Sequence, residues 1–103
     1  MTAVFWTPEA RQDLQGIYDY IAAESPHYAG LVADHIISAV GRLERFPESG
    51  RIVPELKRSD VREVLWRSYR IVYRLIDRDQ AQVLTVFRSE RLFPDLRDVG
   101  GPA

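Results

Sequence analysis

Two helix-start signals, Thr7-Pro8-Glu9 and Ser25-Pro26, constrain this chain more than any other feature. In each, a hydroxyl residue able to cap precedes a proline suited to the first helical position. Glu9 adds a negative charge where the helix dipole favours one. Behind the first signal, Ala10, Leu14, Ile17 and Ile21 recur at spacings of four, three and four. The spacing predicts one apolar helix face running to about Glu24. Behind the second, Ala29, Val32, Ala33, Ile36, Val40, Leu43 and Phe46 make a longer stripe, a helix of about 20 residues and about 30 Å. Only Glu24-Ser25-Pro26 joins them, so the pair must fold back as a hairpin or a bent pair. Pro47-Glu48-Ser49-Gly50 then ends the helical half.

The second half changes period. Segments 61–66, 69–76 and 82–88 are rich in Val, Ile, Leu, Tyr and Phe, and short polar breaks at Arg67-Ser68 and Asp77-Arg78-Asp79 separate them. Breaks that short predict an antiparallel meander. In the middle strand Tyr69, Ile71, Tyr73 and Leu75 share one face, expected to pack on the helices. Arg70, Val72, Arg74 and Ile76 share the other, expected to be partly open. Val4-Phe5-Trp6 reads as a strand before the first helix, and residues 47–59 read as an irregular connection. The expected order is β-α-α-β-β-β: α+β, a two-helix antiparallel hairpin packed on an antiparallel sheet. A chain of 103 residues has room for one core, so residues 1–103 are expected to form a single domain, with a mobile tail over 94–103.

Composition narrows the chemistry. There is no cysteine, and the only histidines are His27 and His35. Disulfides, thiolate metal sites and cysteine nucleophiles are excluded, and a zinc site has almost no ligands left. Both histidines fall in the helical half, where the plain reading is a surface or boundary side chain. No apolar run approaches the roughly 18 residues of a membrane span, and residues 1–10 lack a secretory pattern. The expectation is a cytoplasmic protein without cofactor, metal or membrane partner.

The net charge of −1 hides an asymmetry. Residues 1–50 carry 3 Arg against 7 acids, and residues 51–103 carry 11 Lys and Arg against 8 acids. Arg62, Arg70, Arg74 and Arg88 come from three neighbouring strands. If they converge, they suit a phosphate, an RNA-cleavage transition state or an acidic partner peptide. The plain alternative is a solvated face paired with Glu63 and Asp77. Tyr18, Tyr20 and Tyr28 lie near the helix turn, as partial core or as a partner-binding patch. Trp66 ends a strand, either capping the core or receiving a partner side chain.

Four stretches resemble the ParE/RelE-type toxins of type II toxin–antitoxin, or plasmid-stabilisation, modules: WTPEARQDLQGIYDYIA (6–22), LERFPESGRIVPEL (43–56), VREVLWRSYRIVYRL (61–75) and VLTVFRSERLF (83–93). Together they span nearly the whole chain, and Tyr-Arg-Ile-Val-Tyr-Arg after an Arg-Glu strand is the most specific part. The resemblance implies the same strand–helix–helix–three-strand fold and a cognate antitoxin wrapped over the helices and an edge or groove of the sheet.

The family has two main activities, inhibition of DNA gyrase by ParE-like members and ribosome-dependent mRNA cleavage by RelE-like ones. The resemblance is closer to ParE. The sequence pI is about 6.1, whereas the nucleases tend to be strongly basic. Arg88 stands where related nucleases often have His, and arginine is a poor proton shuttle. The expectation is therefore a gyrase inhibitor with a target face of Arg70, Arg74, Arg88, Ser89, Glu90 and Arg91, and with Tyr18, Tyr20, Tyr28, Trp66 and Arg74 facing the antitoxin. Direct nucleic-acid binding is expected only of a nuclease. In that alternative Arg62, Arg70 and Arg88 hold the scissile phosphate and Glu63 or Glu90 is the base. A third reading is a non-toxic interaction protein of the same fold.

Overall fold

The structure, a computed structural model, describes residues 1–96. Strand β1 (Ala3–Trp6) leads into helices α1 (Pro8–Ala22) and α2 (Pro26–Gly41), and strands β2 (Arg51–Ile52), β3 (Val61–Trp66), β4 (Tyr69–Leu75) and β5 (Gln80–Arg88) follow. Both helix starts are capped as the sequence predicts. Thr7 Oγ1 accepts the Ala10 amide at 3.0 Å, and Ser25 Oγ accepts the Tyr28 amide at 3.2 Å. Each cap contributes about 1 kcal/mol. The second helix is shorter than its apolar stripe, because the chain tightens into a 3-10 turn at Arg42–Glu44. Leu43 stays fully buried in that turn.

The α+β layer of a helix hairpin on a sheet stands, but the sheet is mixed. Its order is β1-β5-β4-β3-β2. The meander β3-β4-β5 is antiparallel, whereas β1 lies parallel to β5, with Ala3 opposite Gln80 and Trp6 opposite Val83. Parallel neighbours need a long crossover, and here the helix hairpin and the rest of the meander supply it. β2 is an extra two-residue strand that pairs Arg51 with Glu63 and Ile52 with Arg62.

The helix side of the sheet holds the main core. Val32, Ile36, Ala39 and Val40 of α2 and Ala10 of α1 pack on Ile71, Val83 and Val86, with Leu14, Ile17, Trp66 and Tyr69 around them. Val83 and Val86 are an odd number of residues apart, which strict alternation would send to opposite faces. A bulge reconciles them: Val72 pairs with Thr85 but Tyr73 pairs with Val83.

The opposite face, expected to be partly open, stays exposed at Leu65 and Ile76, but its centre is covered. Val61, Val72, Leu84 and Phe87 are buried there with Val53, and Leu56, Phe93 and Leu96 pack over them. The connection before β3 and the segment after β5 thus close a second, smaller core. Of the tail expected to be mobile, Leu96 belongs to this cover. Residues 97–103 lie outside the described residues.

Candidate functional site

The strand arginines do not converge. Cross-strand register places Arg62 opposite Tyr73 and Arg88 opposite Tyr69, on the helix side of the sheet. Arg70 lies opposite Leu65 on one neighbour and Phe87 on the other, so it and Arg74 belong to the far face. Arg62 is also held locally. Its Nη1 donates to the carbonyls of Glu48 and Gly50, and its Nε donates to that of Ser59.

Arg70 is the centre of a buried ion network. Its Nε donates to Glu63 Oε1 at 2.6 Å, and its two terminal nitrogens make a bidentate pair with Glu55 at 2.8 and 2.7 Å. Glu63 Oε2 takes a further bond from Arg51 Nε at 2.7 Å. The Glu63 side chain is 0% exposed and that of Arg70 10%. The guanidinium carbon also lies 5.2 Å from the Phe87 ring centre and 5.3 Å from that of Phe93. These rings meet edge to face at 5.7 Å, so the far-face aromatics add cation–π contact to the ion pairs. The Arg70 hydrogen bond brings the Glu55 carboxyl down to about 2, and Arg70 itself is raised, chiefly by Glu55. Arg74 is committed in the same way, donating to Asp60 Oδ2 at 3.1 Å. Asp60 also receives Arg58, whose hydrogen bonds are the largest cause lowering its carboxyl.

The plain alternative for the strand arginines was a face paired with Glu63 and Asp77. Glu63 holds Arg70, but Asp77 instead accepts the Asp79 amide at 2.7 Å and shapes the β4–β5 turn. Glu55, Asp60 and Phe93 were not foreseen. None stands in a periodic run, and only their proximity in the fold gives them their part.

Arg88, Ser89, Glu90 and Arg91 stay exposed at the end of β5. Arg88 Nε meets Glu90 Oε1 at 2.7 Å with both side chains open to solvent, a pair worth little by itself. Arg91 has no carboxylate partner among the described residues. Arg88, Glu90 and Arg91 rim a cavity of ≈ 490 Å³ against α1, whose wall includes Ile17, Tyr20 and Tyr69, and Ser89 lies outside it. Burial raises the Tyr69 hydroxyl above its usual range.

The three tyrosines divide between surfaces. Tyr20 belongs to that cavity and is 75% exposed. Tyr18 lines a different groove of ≈ 760 Å³, with Phe5, Trp6, Leu14 and Ile37, between the free edge of β1 and the helix hairpin. Tyr28 is half-exposed near Tyr69. Trp66 stacks on His35 at 5.0 Å and on Tyr69 at 6.2 Å, while the Arg67 guanidinium lies 5.3 Å from its ring centre. His35 is therefore a stacking partner on the helix surface. Among the described residues no group of three or more His, Asp or Glu is placed to hold a metal ion. No described helix is long and apolar enough to cross a membrane.

A sheet with every far-face arginine paired, a small helix hairpin and two open grooves is the setting in which the comparisons with known proteins fall. Residues 4–93 match the family described as ParE toxin of type II toxin–antitoxin system, parDE. This chain belongs to the ParE toxin family. Among solved structures, the chain is similar to one titled "Chromosomal ParDE TA system from P. aeruginosa", with a TM-score of 0.69 and 28% identity over 87% of this chain and 98% of that one. A comparison with curated proteins finds no match. In this ParE-family chain the Phe-Pro-x-x-Gly-Arg stretch at 46–51 has a visible role: Gly50 leads into β2, where Arg51 closes the Glu63–Arg70 network.

Proposed function

We propose that this ParE-family protein inhibits DNA gyrase as a binding protein, without hydrolytic chemistry of its own, and is neutralised by a cognate antitoxin in the cytoplasm. The observation that supports this over mRNA cleavage is the state of Arg70. A nuclease would need Arg62, Arg70 and Arg88 on one phosphate. Here Arg70 is saturated by two carboxylates under two aromatic rings, and the other two arginines belong to the other sheet face. Glu63, the candidate base, is fully buried and bonded to two arginines. The exposed run Arg88 to Arg91 is then the target-binding face, and Arg70 and Arg74 support it from behind rather than touching the target.

The antitoxin is assigned to the groove lined by Tyr18 and to the free edge of β1; Tyr20, Tyr28 and Trp66, also expected to face it, lie in or beside the cavity that holds Tyr69 and are not part of that groove. Phe5 and Ile37 in the groove are exposed apolar side chains, which suit a segment that folds on binding. The test is a supercoiling assay with purified protein and gyrase, beside toeprinting on translating ribosomes. Inhibited supercoiling with no new mRNA ends is the expected result. New mRNA ends with unaffected supercoiling would replace this reading by the nuclease. Neither effect, and unimpaired growth on expression, would leave the non-toxic interaction protein.

A further inference from the structure

The upper edge of β5 points to a specific mode of recognition. β1 stops at Trp6, opposite Val83, so beyond that point no described strand lies beside β5 on its α1 side. The start of α1 covers the next part of the edge. The Thr7 amide donates to the Val83 carbonyl at 3.1 Å, and Thr7 Oγ1 donates to the Leu84 carbonyl at 3.2 Å. Asp13 Oδ2 then accepts Thr85 Oγ1 at 2.6 Å and the Val86 amide at 3.1 Å. Asp13 thus occupies the place of a strand, and there the cover ends.

Amide and carbonyl of one strand residue point the same way, and neighbours alternate. Phe87 faces β4 opposite Arg70, and the Ser89 amide donates to the Ser68 carbonyl at 2.7 Å. The Val86 carbonyl and the Arg88 amide therefore point away from β4, into the cavity against α1. That donor and acceptor are the pair one residue of an added strand would engage.

The surroundings define what such a strand carries. Gly16 leaves the α1 wall bare, and a Cβ there meets nothing within 4 Å. Ile17 and Tyr69 offer an apolar floor, and Tyr20 forms one side. The charges facing the cavity are Asp13, Arg88, Glu90 and Arg91. Asp13 is spent on Thr85 and Val86, and Glu90 holds Arg88 only through a solvent-exposed pair. The Arg91 guanidinium is left without a carboxylate among the described residues.

We infer that the groove between α1 and the end of β5 binds an extended acidic peptide segment of the target. This segment adds one strand residue to the Val86–Arg88 edge, sets a carboxylate on Arg88 and Arg91, and lays an apolar side chain on Ile17 and Tyr69. The inference deepens the target face proposed above and rests on that reading for its biological partner. Binding of the peptide itself does not depend on which enzyme is the target.

The test is a titration of the ¹⁵N-labelled protein with a capped heptapeptide of alternating Glu and Val, and with its Lys counterpart. The acidic peptide is expected to shift the amides of Gly16, Val86 and Arg88, and the Lys peptide to bind at least ten-fold more weakly. Gly16→Leu fills the groove on an open helix face, so it is expected to fold as the parent does and to lose the shifts. Silence at Val86 and Arg88, equal binding of both peptides, shifts centred on Arg74 instead, or unchanged binding by Gly16→Leu would each overturn the inference. Gyrase supercoiling is read separately. Peptide binding without gyrase inhibition would remove the gyrase reading and keep the groove. Gyrase inhibition without peptide binding would do the reverse.

Discussion

Gly50 donates its backbone amide to the Tyr73 hydroxyl at 3.0 Å, and a Cβ at Gly50 would sit 2.6 Å from that same oxygen. The hydroxyl in turn donates to the Pro47 carbonyl at 2.7 Å. One buried phenol therefore gathers both ends of the turn that closes the helical half, and it has room to do so only because residue 50 lacks a side chain. Gly50→Ala places a methyl against Tyr73 and against the Glu63 carbonyl, 2.7 Å away. It is expected to destabilise by about 1–3 kcal/mol through overpacking. Tyr73→Phe leaves an amide and a carbonyl without their partner and is expected to cost about 1–3 kcal/mol. Urea midpoints of the two variants and the parent check both.

Glu63 and Arg51 share an ion pair but not a burial. The Glu63 side chain is 0% exposed, and that of Arg51 is 55%. Removing Glu63 leaves Arg70 with a desolvated nitrogen and no near carboxylate on that side. Glu63→Ala is expected to cost about 3–5 kcal/mol, as when one partner of a buried pair is lost. Arg51→Ala leaves Glu63 on Arg70 and is expected to cost less than about 1 kcal/mol. The double variant Glu63→Leu with Arg70→Met removes both buried charges together, and it is expected to be more stable than Glu63→Ala alone. Equilibrium denaturation of the three variants and the parent gives the comparison.

The network also sets how the fold responds to acid. In the folded chain Arg70 holds the Glu55 carboxyl at about 2, against its ordinary 4.5. Arg58 and Arg74 lower the Asp60 carboxyl below its ordinary 3.8. Both groups are depressed on folding, so their contribution is complete above about pH 4.5 and is lost as pH falls toward 2. Tyr73 moves the other way. Burial raises its hydroxyl above the ordinary 10.0, so its contribution holds below pH 10 and fades above it. Glu55→Gln is expected to be less stable than the parent at pH 7, with the gap closing as pH is lowered to 2. A urea-midpoint series across that window reads the effect.

What could be read from the sequence was local. Thr7-Pro8 and Ser25-Pro26 cap their own helices, and Arg67-Ser68 turns its own hairpin, so each signal sits beside the structure it makes. The pairing of Ala3 with Gln80 has no such signal, because it joins segments brought together only by the whole fold. The cover of the far face was hidden for a related reason. Val53, Leu56, Phe93 and Leu96 are scattered apolar residues without helical or strand period. Alternation in β4 correctly separated Arg70 and Arg74 from Tyr73, but alternation reports which face a side chain takes and not what lies over that face. Arg70 looked available for that reason. Its bidentate partner Glu55 belongs to a connection read as irregular.

The two groups of arginines should separate in function. Arg70 is enclosed by Glu55, Glu63, Phe87 and Phe93, so Arg70→Ala is expected to lower stability by about 3–5 kcal/mol and to reduce activity only through loss of folded protein. Arg91 carries no ion pair among the described residues and stands in solvent, so Arg91→Ala is expected to change stability by less than about 0.5 kcal/mol. If the end of β5 meets the target, Arg91→Ala, and still more the double variant Arg88→Ala with Arg91→Ala, abolishes growth arrest at an unchanged level of soluble, folded protein. If the antitoxin takes the separate β1 groove as proposed, its capture persists in both variants. Growth curves, soluble yield and a pull-down with the antitoxin, measured on the same clones, separate a contact surface from a structural arginine. Full toxicity of the double variant would move the target face away from the end of β5.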